Sequence, residues 1–218
     1  MSNYVKYPRT YHVPWSLGTS SDDRLLISMD HFIGKEIVIM EKLDGENASL
    51  YREHYHARSL DSLHHPSREW IKSLHGRIKY LIPEGWRICG ENMYAKHSIF
   101  YDSLSTYFYV FNIWNENNEC LSIDDTLEWC ELLELEHVPI MYRGLYDEDI
   151  AKKIWNVGNS SKFGEESEGF VLRVSDSFHY ADFENTYAKN VRKGHVQTDQ
   201  HWMNMAVVPN QLRRKNEQ

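Results

Sequence analysis

The 218-residue chain has only three cysteines, Cys89, Cys120 and Cys130. Their number is odd and no pair has C-x-x-C spacing, which argues against a disulfide framework and against a structural zinc site. Long apolar runs are missing as well. No stretch approaches the roughly 18 residues that a membrane helix needs. The start, MSNYVKYPRTYHVPW, lacks the apolar core of a signal peptide. These absences argue against a membrane-spanning helix and lead us to expect a soluble, cytoplasmic protein. Positive charge is scarce: 24 Lys and Arg stand against 32 Asp and Glu, a net charge of −8. Taken as a total, that counts against a nucleic-acid partner. Repeats, low-complexity linkers and a clear domain boundary are absent too. The expectation is one domain over residues 1–218, with a short basic tail over about 209–218.

The distribution of charge softens the first impression. From Lys189 onward the chain carries Lys189, Arg192, Lys193, Arg213, Arg214 and Lys215 against Asp199 and Glu217. A local basic strip can bind phosphates on an otherwise acidic surface; a solvated tail is the other reading of RRKNEQ. The 12 histidines are scattered. His54 and His56 would share a strand face, which suits a polar surface better than zinc.

Short runs rich in β-branched and aromatic residues predict strands at Ile37–Glu41, Ala48–Arg52, Tyr55–Arg58, Trp86–Glu91, Tyr107–Trp114, Val138–Tyr142 and Glu168–Val174. Three helices stand out between them. In HPSREWIKSLHGRIKYLI, Trp70, Ile71, Leu74, Ile78 and Leu81 fall on one face, and Pro66 suits a first turn. SIDDTLEWCELLEL and DEDIAKKIW both begin with acids, as a helix N-terminus favours. The strands bunch in hairpin-like pairs instead of alternating with helices, which predicts an α+β fold of mostly antiparallel sheets with flanking helices. NVGNSSKFGEESEG is a polar loop of the kind that often carries function.

In IVIMEKLDGEN an apolar strand runs into Lys42, and an Asp-Gly pair follows. Strands often end this way. A lysine amine is also a nucleophile when an apolar setting or a neighbouring cation, here Arg58 or Lys189, lowers its pKa.

EKLDGEN resembles the K-x-D-G motif of the covalent nucleotidyltransferases: ATP-dependent RNA ligases, DNA ligases and mRNA capping enzymes. Further pieces follow in that superfamily's order. HARS supplies Arg58, RICGENMY supplies Glu91, and YFYVFNIW supplies Phe111. EGFVLR supplies Glu168, and YAKNVRK supplies Lys189. Asn47, five residues past the lysine, is similar to the ATP-dependent RNA ligase branch in particular. The resemblance spans Lys42 to Lys193. It implies a nucleotidyltransferase domain, ATP-grasp-like, in which Lys42 attacks the α-phosphorus of ATP and holds AMP through a P–N bond. The AMP then passes to an RNA 5′-phosphate, and a 3′-hydroxyl seals the break. Phosphoryl transfer depends on positioning and electrostatic stabilisation. By the same resemblance, Glu41 recognises adenine, Phe111 stacks on it, Glu91 bonds the ribose and Asn47 a phosphate. Arg58, Lys189 and Lys193 face phosphates. Asp44, Glu91 and Glu168 hold Mg²⁺, with Mn²⁺ as a substitute. Phe111 has a competing reading as core, since YFYVFNIW is apolar on both faces: Tyr107, Tyr109, Phe111 and Ile113 on one, Phe108, Val110, Asn112 and Trp114 on the other.

Two departures qualify the resemblance. Where the family has K-x-K, Val191 stands two positions past Lys189, so the second cation is Lys193, Arg192 or another residue, with Lys162 in reserve. Only about 25 residues follow YAKNVRK, so neither an OB-fold nor a C-terminal helical domain is expected. The leading expectation is an ATP-dependent RNA ligase, a monomer, acting on ends that an end-healing partner protein prepares. The alternatives are a DNA ligase, a capping-type nucleotidyltransferase, and a non-catalytic nucleotide- or RNA-binding protein that keeps the pocket.

Overall fold

The computed structural model describes residues 4–157, 160–194 and 206–214. Twelve strands are β1 (Tyr11–His12), β2 (Glu36–Lys42), β3 (Glu46–Leu50), β4 (Tyr55–Ala57), β5 (Arg87–Asn92), β6 (Phe108–Trp114), β7 (Glu119–Cys120), β8 (Glu136–His137), β9 (Ile140–Leu145), β10 (Gly169–Val174), β11 (Phe178–His179) and β12 (Tyr187–Val191). Three helices are α1 (Glu69–Ile78), α2 (Ile123–Leu132) and α3 (Glu148–Val157). The strands form two sheets. One runs β1-β12-β10-β2-β9; the other runs β11-β7-β6-β5-β3-β4, with β8 against β6. Only β1–β12 and β6–β8 pair in parallel among the described strands. The architecture is therefore α+β and mostly antiparallel. No helix among the described residues is long and apolar enough to cross a membrane.

The sequence explains the layers. β2 is apolar from Ile37 to Met40 without alternation because it lies mid-sheet and is covered on both faces; all four residues are fully buried. One continuous core takes in Val38, Met40, Tyr109 and Trp114 between the sheets and reaches Ile37 and Phe170 on the opposite face of the first sheet. A second core lies behind the other sheet, where Ile71, Leu74 and Ile78 of α1 meet Leu50, Ile88, Phe108 and Val110. α2 begins at Ser122, whose hydroxyl accepts from the Asp125 N–H at 3.1 Å. Arg173 of β10 is fully buried and has no carboxylate partner among the described residues. It donates to Asn112 Oδ1 at 2.9 Å and to the Leu121 carbonyl at 2.7 Å, tying one sheet to the other.

The strict alternation expected along YFYVFNIW fails at one position. Cys89 pairs with Asn112 and Gly90 with Val110, so Phe111 has no register partner on β5. This β-bulge turns Phe111 and Asn112 toward the same side. Beyond it, Ile113 joins the outer core with Phe108 and Val110 while Trp114 joins the inner one. Helical and strand segments otherwise lie where periodicity placed them. β12 and the two-residue strands were not foreseen.

Candidate active site

The two sheets face one another across a cavity of about 770 Å³. Strand register explains what lines it. On the first sheet, Met40 pairs with Val171 and Val171 with Lys189, which puts three adjacent side chains on one face. Lys42 lies two residues beyond Met40 on that face and pairs with Gly169. On the second sheet, Asn47 pairs with Glu91. Glu41, Lys42, Asn47, Arg58, Glu91, Phe111 and Lys189 all line the cavity, although up to 148 residues separate Glu41 from Lys189 in sequence.

Lys42 Nζ lies 2.5 and 2.6 Å from the two carboxylate oxygens of buried Glu168. Burial pushes the Lys42 ammonium's pKa down, but the charges of Glu168 and Glu91 push it up further, and the net direction is upward. The lowered pKa expected of the nucleophile is therefore not the state of the unliganded site. Glu91 is pushed up to about 8, first by burial, then by Glu168 and Asp44, with Lys42 opposing. Its Oε1 accepts from the Gly45 N–H at 3.2 Å. Gly45 is required by close approach, since a Cβ there would come within 2.7 Å of the Asn92 carbonyl oxygen and the Met93 sulfur. The Lys189 ammonium is pushed down by burial and by Lys42.

Glu41 is buried, and burial raises its carboxyl pKa. Its Oε2 accepts from the Lys162 backbone N–H at 3.2 Å, whereas Oε1 is buried without a partner, as is Asn47 Oδ1. Arg58, exposed just past β4, makes no side-chain ion pair among the described residues. Phe111 meets Tyr7 edge-on, with ring centroids 5.2 Å apart at 75°.

Four expected residues are placed otherwise. Asp44 Oδ2 accepts from Ser98 N, Ser98 Oγ and Ile99 N at 2.8, 2.7 and 2.8 Å, which fixes the turn after Lys42. Lys193 and Arg192 line a separate cleft beside Trp15 and Trp155, and Arg192 pairs with Glu166 at 2.7 Å. Lys162 contributes its backbone; its ammonium sits 5.7 Å from the Phe163 ring centroid. Pro209 and Leu212 bridge to Ala95 and Leu104, and Asn210 is buried. Residues 195–205 and 215–218 of the expected C-terminal segment and tail lie outside the described residues.

Sequence reasoning missed Tyr7, Pro8, Thr10, Glu46 and Arg68, which also line the cavity. The aromatic-rich start, YVKYPRTYHVPW, was the available signal for the first three. Nothing local paired Arg68 with Glu46 across 22 residues.

No group of three or more His, Cys, Asp or Glu among the described residues forms a metal cage. A Mg²⁺ that keeps most of its water needs only one or two carboxylates plus substrate phosphates. Glu91 and Glu168 fit that demand: with Asp44 nearby they crowd negative charge together, as the raised Glu91 pKa records.

The chain matches the RNA ligase family model over residues 35–191. No curated protein matches it. Among solved structures it is similar to a ligand-free mutant of Naegleria gruberi RNA ligase, with 15% identity, a TM-score of 0.54, and coverage of 78% of this chain and 52% of that one. A mutant of the same enzyme with ATP and Mn gives 16% identity, a TM-score of 0.53, and coverage of 75% and 52%. A putative ATP-dependent DNA ligase from Aquifex aeolicus gives 21% identity, a TM-score of 0.56, and coverage of 85% and 49%. The chain thus spans about half the length of these structures, and the likeness is one of fold. With a family model matching well over half its length, the chain belongs to the RNA ligase family.

Proposed function

We propose that this protein is an ATP-dependent RNA ligase that uses Lys42 as its covalent nucleophile. The observation that carries the reading is Lys42 Nζ, 2.5 Å from Glu168, on the wall of a cavity that Glu91, Arg58 and Lys189 also line. Lys42 starts as an ammonium and must lose a proton before its nitrogen can attack; Glu168 Oε1 lies within reach of that proton. The Nζ–P bond then forms as the bond from the α-phosphorus to pyrophosphate breaks. In the second step an RNA 5′-phosphate oxygen attacks the same phosphorus, the Nζ–P bond breaks, and Lys42 regains a proton. In the third, a 3′-hydroxyl displaces AMP. Lys189 and Arg58 neutralise phosphate oxygens, with Arg58 offering a planar fork of donors. Phe111, on its bulge, presents a ring face to the adenine, beside Val171 and Met40. The unpartnered oxygens of Glu41 and Asn47 are acceptors for donor groups of the nucleotide. A divalent cation, Mg²⁺ or Mn²⁺, held by Glu91 and Glu168, would offset phosphate charge and weaken the hold of these carboxylates on the Lys42 proton.

The test uses ATP labelled at the α-phosphate, with Mg²⁺. Label should stay on the wild-type polypeptide after denaturation, be absent from Lys42→Ala, and fail to form from GTP. Labelling of Lys42→Ala, or none of the wild type, overturns the reading. Sealing of 5′-phosphate and 3′-hydroxyl breaks in RNA and in DNA then decides the substrate. The Aquifex likeness makes sealing of DNA alone the specific alternative.

A further inference from the structure

The family match begins at residue 35, yet the site depends on residues before it. Val13 N donates to the Lys189 carbonyl at 2.8 Å, and Gly18 N to the Val191 carbonyl at 2.9 Å. β1 pairs in parallel with β12, His12 opposite Lys189. Residues 11–26 thus form a strap along the strand that carries the late lysine. Its loop brings Asp23 Oδ1 to 3.4 Å from Lys189 Nζ. The other oxygen, Oδ2, accepts from Ser20 N at 3.0 Å and Ser20 Oγ at 2.9 Å, so the carboxylate is held from behind and presents one oxygen to the lysine. Fully buried His12 places Nε2 3.2 Å from Asp23 Oδ1, and its Nδ1 meets Ser16 Oγ at 2.8 Å. Ser16 Oγ in turn accepts from the Val191 N–H at 3.1 Å, which closes the arrangement back onto β12.

We propose that Asp23, held by Ser20 and backed by His12, is the positioning residue that keeps the Lys189 ammonium aimed at the nucleotide cavity. This rests on the ligase reading above. The groups that act on Lys189 are Asp23 and His12 from the strap, Lys42 from β2, and Glu168 before β10. Burial and Lys42 favour the neutral amine, while Asp23 and Glu168 oppose them. His12 is itself driven toward its neutral form by burial and by Lys189, so it leaves the Asp23 charge in place. A neutral Lys189 would lose its attraction for phosphate oxygens. Asp23 therefore does in the empty site what phosphate does in the filled one.

Two measurements on the full chain test this. The first is the single-turnover rate of Lys42 labelling from ATP between pH 6.5 and 9.5 for wild type, Asp23→Asn and Asp23→Glu. Losing an opposite charge at this range moves a pKa by about one pH unit or more. Asp23→Asn should bring the alkaline limb down by about one pH unit, leaving a rate ~10-fold low at alkaline pH and nearer wild type at pH 6.5; Asp23→Glu should restore much of the limb. A profile parallel to wild type, or faster labelling as from a released latch, overturns the proposal. The second is the Lys189 titration followed by NMR of the lysine Cε in unliganded protein, with Lys189→Met to assign the signal. Asp23→Asn should lower that titration, and an unmoved one overturns the proposal. If the wild type takes no label, the ligase reading fails while the NMR result still decides the Asp23 contact.

Discussion

Two cation–glutamate pairs meet the same cavity and are built differently: Arg68 and Glu46 both line it, whereas Lys42 lines it with Glu168 behind. Arg68 reaches Glu46 through Nε at 3.0 and 2.8 Å to the two oxygens, through Nη2 to Oε1, and adds an Nη1 bond to the Leu63 carbonyl. Both side chains are nearly sealed, at 7% and 9% exposure. Lys42 meets Glu168 through a single nitrogen, and its side chain keeps 25% exposure, toward the cavity. The guanidinium fork spends its donors on fixed partners. The lysine has one atom that can give up its partner and bond to something else. A buried pair that cannot exchange partners holds a wall, and one that can is where chemistry is possible.

The sharpest way to break this comparison is to remove each cation in turn. Lys42→Met should abolish labelling yet lower unfolding stability by only about 1–2 kcal/mol, the order of one unsatisfied buried group. The carboxylates it leaves can share a proton, since Glu91 already holds one up to about pH 8. Arg68→Met should do the reverse, costing about 3–5 kcal/mol because Glu46 is left charged and sealed, while residual folded protein still takes label. Urea unfolding and labelling of both variants check this. Equal stability losses would show that the two pairs do the same work.

A smaller effect separates two neighbouring rings of β6. Phe111, on the bulge, lines the cavity, whereas Phe108 is 1% exposed in the outer core. Phe111→Leu should weaken ATP binding about 10-fold, since stacking a base on an aromatic ring contributes roughly 1–3 kcal/mol, with little change in melting temperature. Phe108→Leu should lower the melting temperature and spare binding. Calorimetric titration with ATP and thermal melts of the pair distinguish the two.

What the sequence disclosed follows the same division. Periodicity placed all three helices and most strands because apolar faces recur locally. As cavity-lining positions, Lys42, Asn47 and Glu91 were legible because each sits at or next to a strand end in a short quotable motif, and Phe111 because it lies in an aromatic run. Strand pairing was not legible, and pairing places Lys189 two strands from Lys42 with the strap beside it. The bulge at Phe111 was hidden for the same reason: it exists only relative to Cys89 and Gly90 on β5. Lys193 lies outside this cavity because the chain has already left the sheet, whose last strand ends at Val191, and its spacing from Lys189 cannot show that. Asp23 lay outside every motif.

The last prediction concerns a partly buried ionisable group with no carboxylate partner among the described residues, the limit that neither glutamate pair reaches. His137 Nδ1 lies 2.6 Å from the Val138 carbonyl, and its Nε2 is buried without a hydrogen-bond partner. Burial pushes its pKa down to about 4. With no carboxylate beside it among the described residues, the fold keeps this group by leaving it neutral. Unfolding raises the affinity for a proton, so the unfolded chain binds more protons between about pH 6.5 and 4. Stability is thus fully present above about pH 6.5 and is lost as pH falls toward about 4, by at most ~1.4 kcal/mol per pH unit from this residue. His12, His31, His54 and His56 are pushed in the same direction, chiefly by burial, and add to the slope. His137→Gln should therefore flatten the acid side of a stability-against-pH curve without touching the Lys42 labelling rate at pH 8. An unchanged slope would mean that His137 finds an acceptor for its second proton when it charges, and the contrast with the two glutamate pairs would lose its third member.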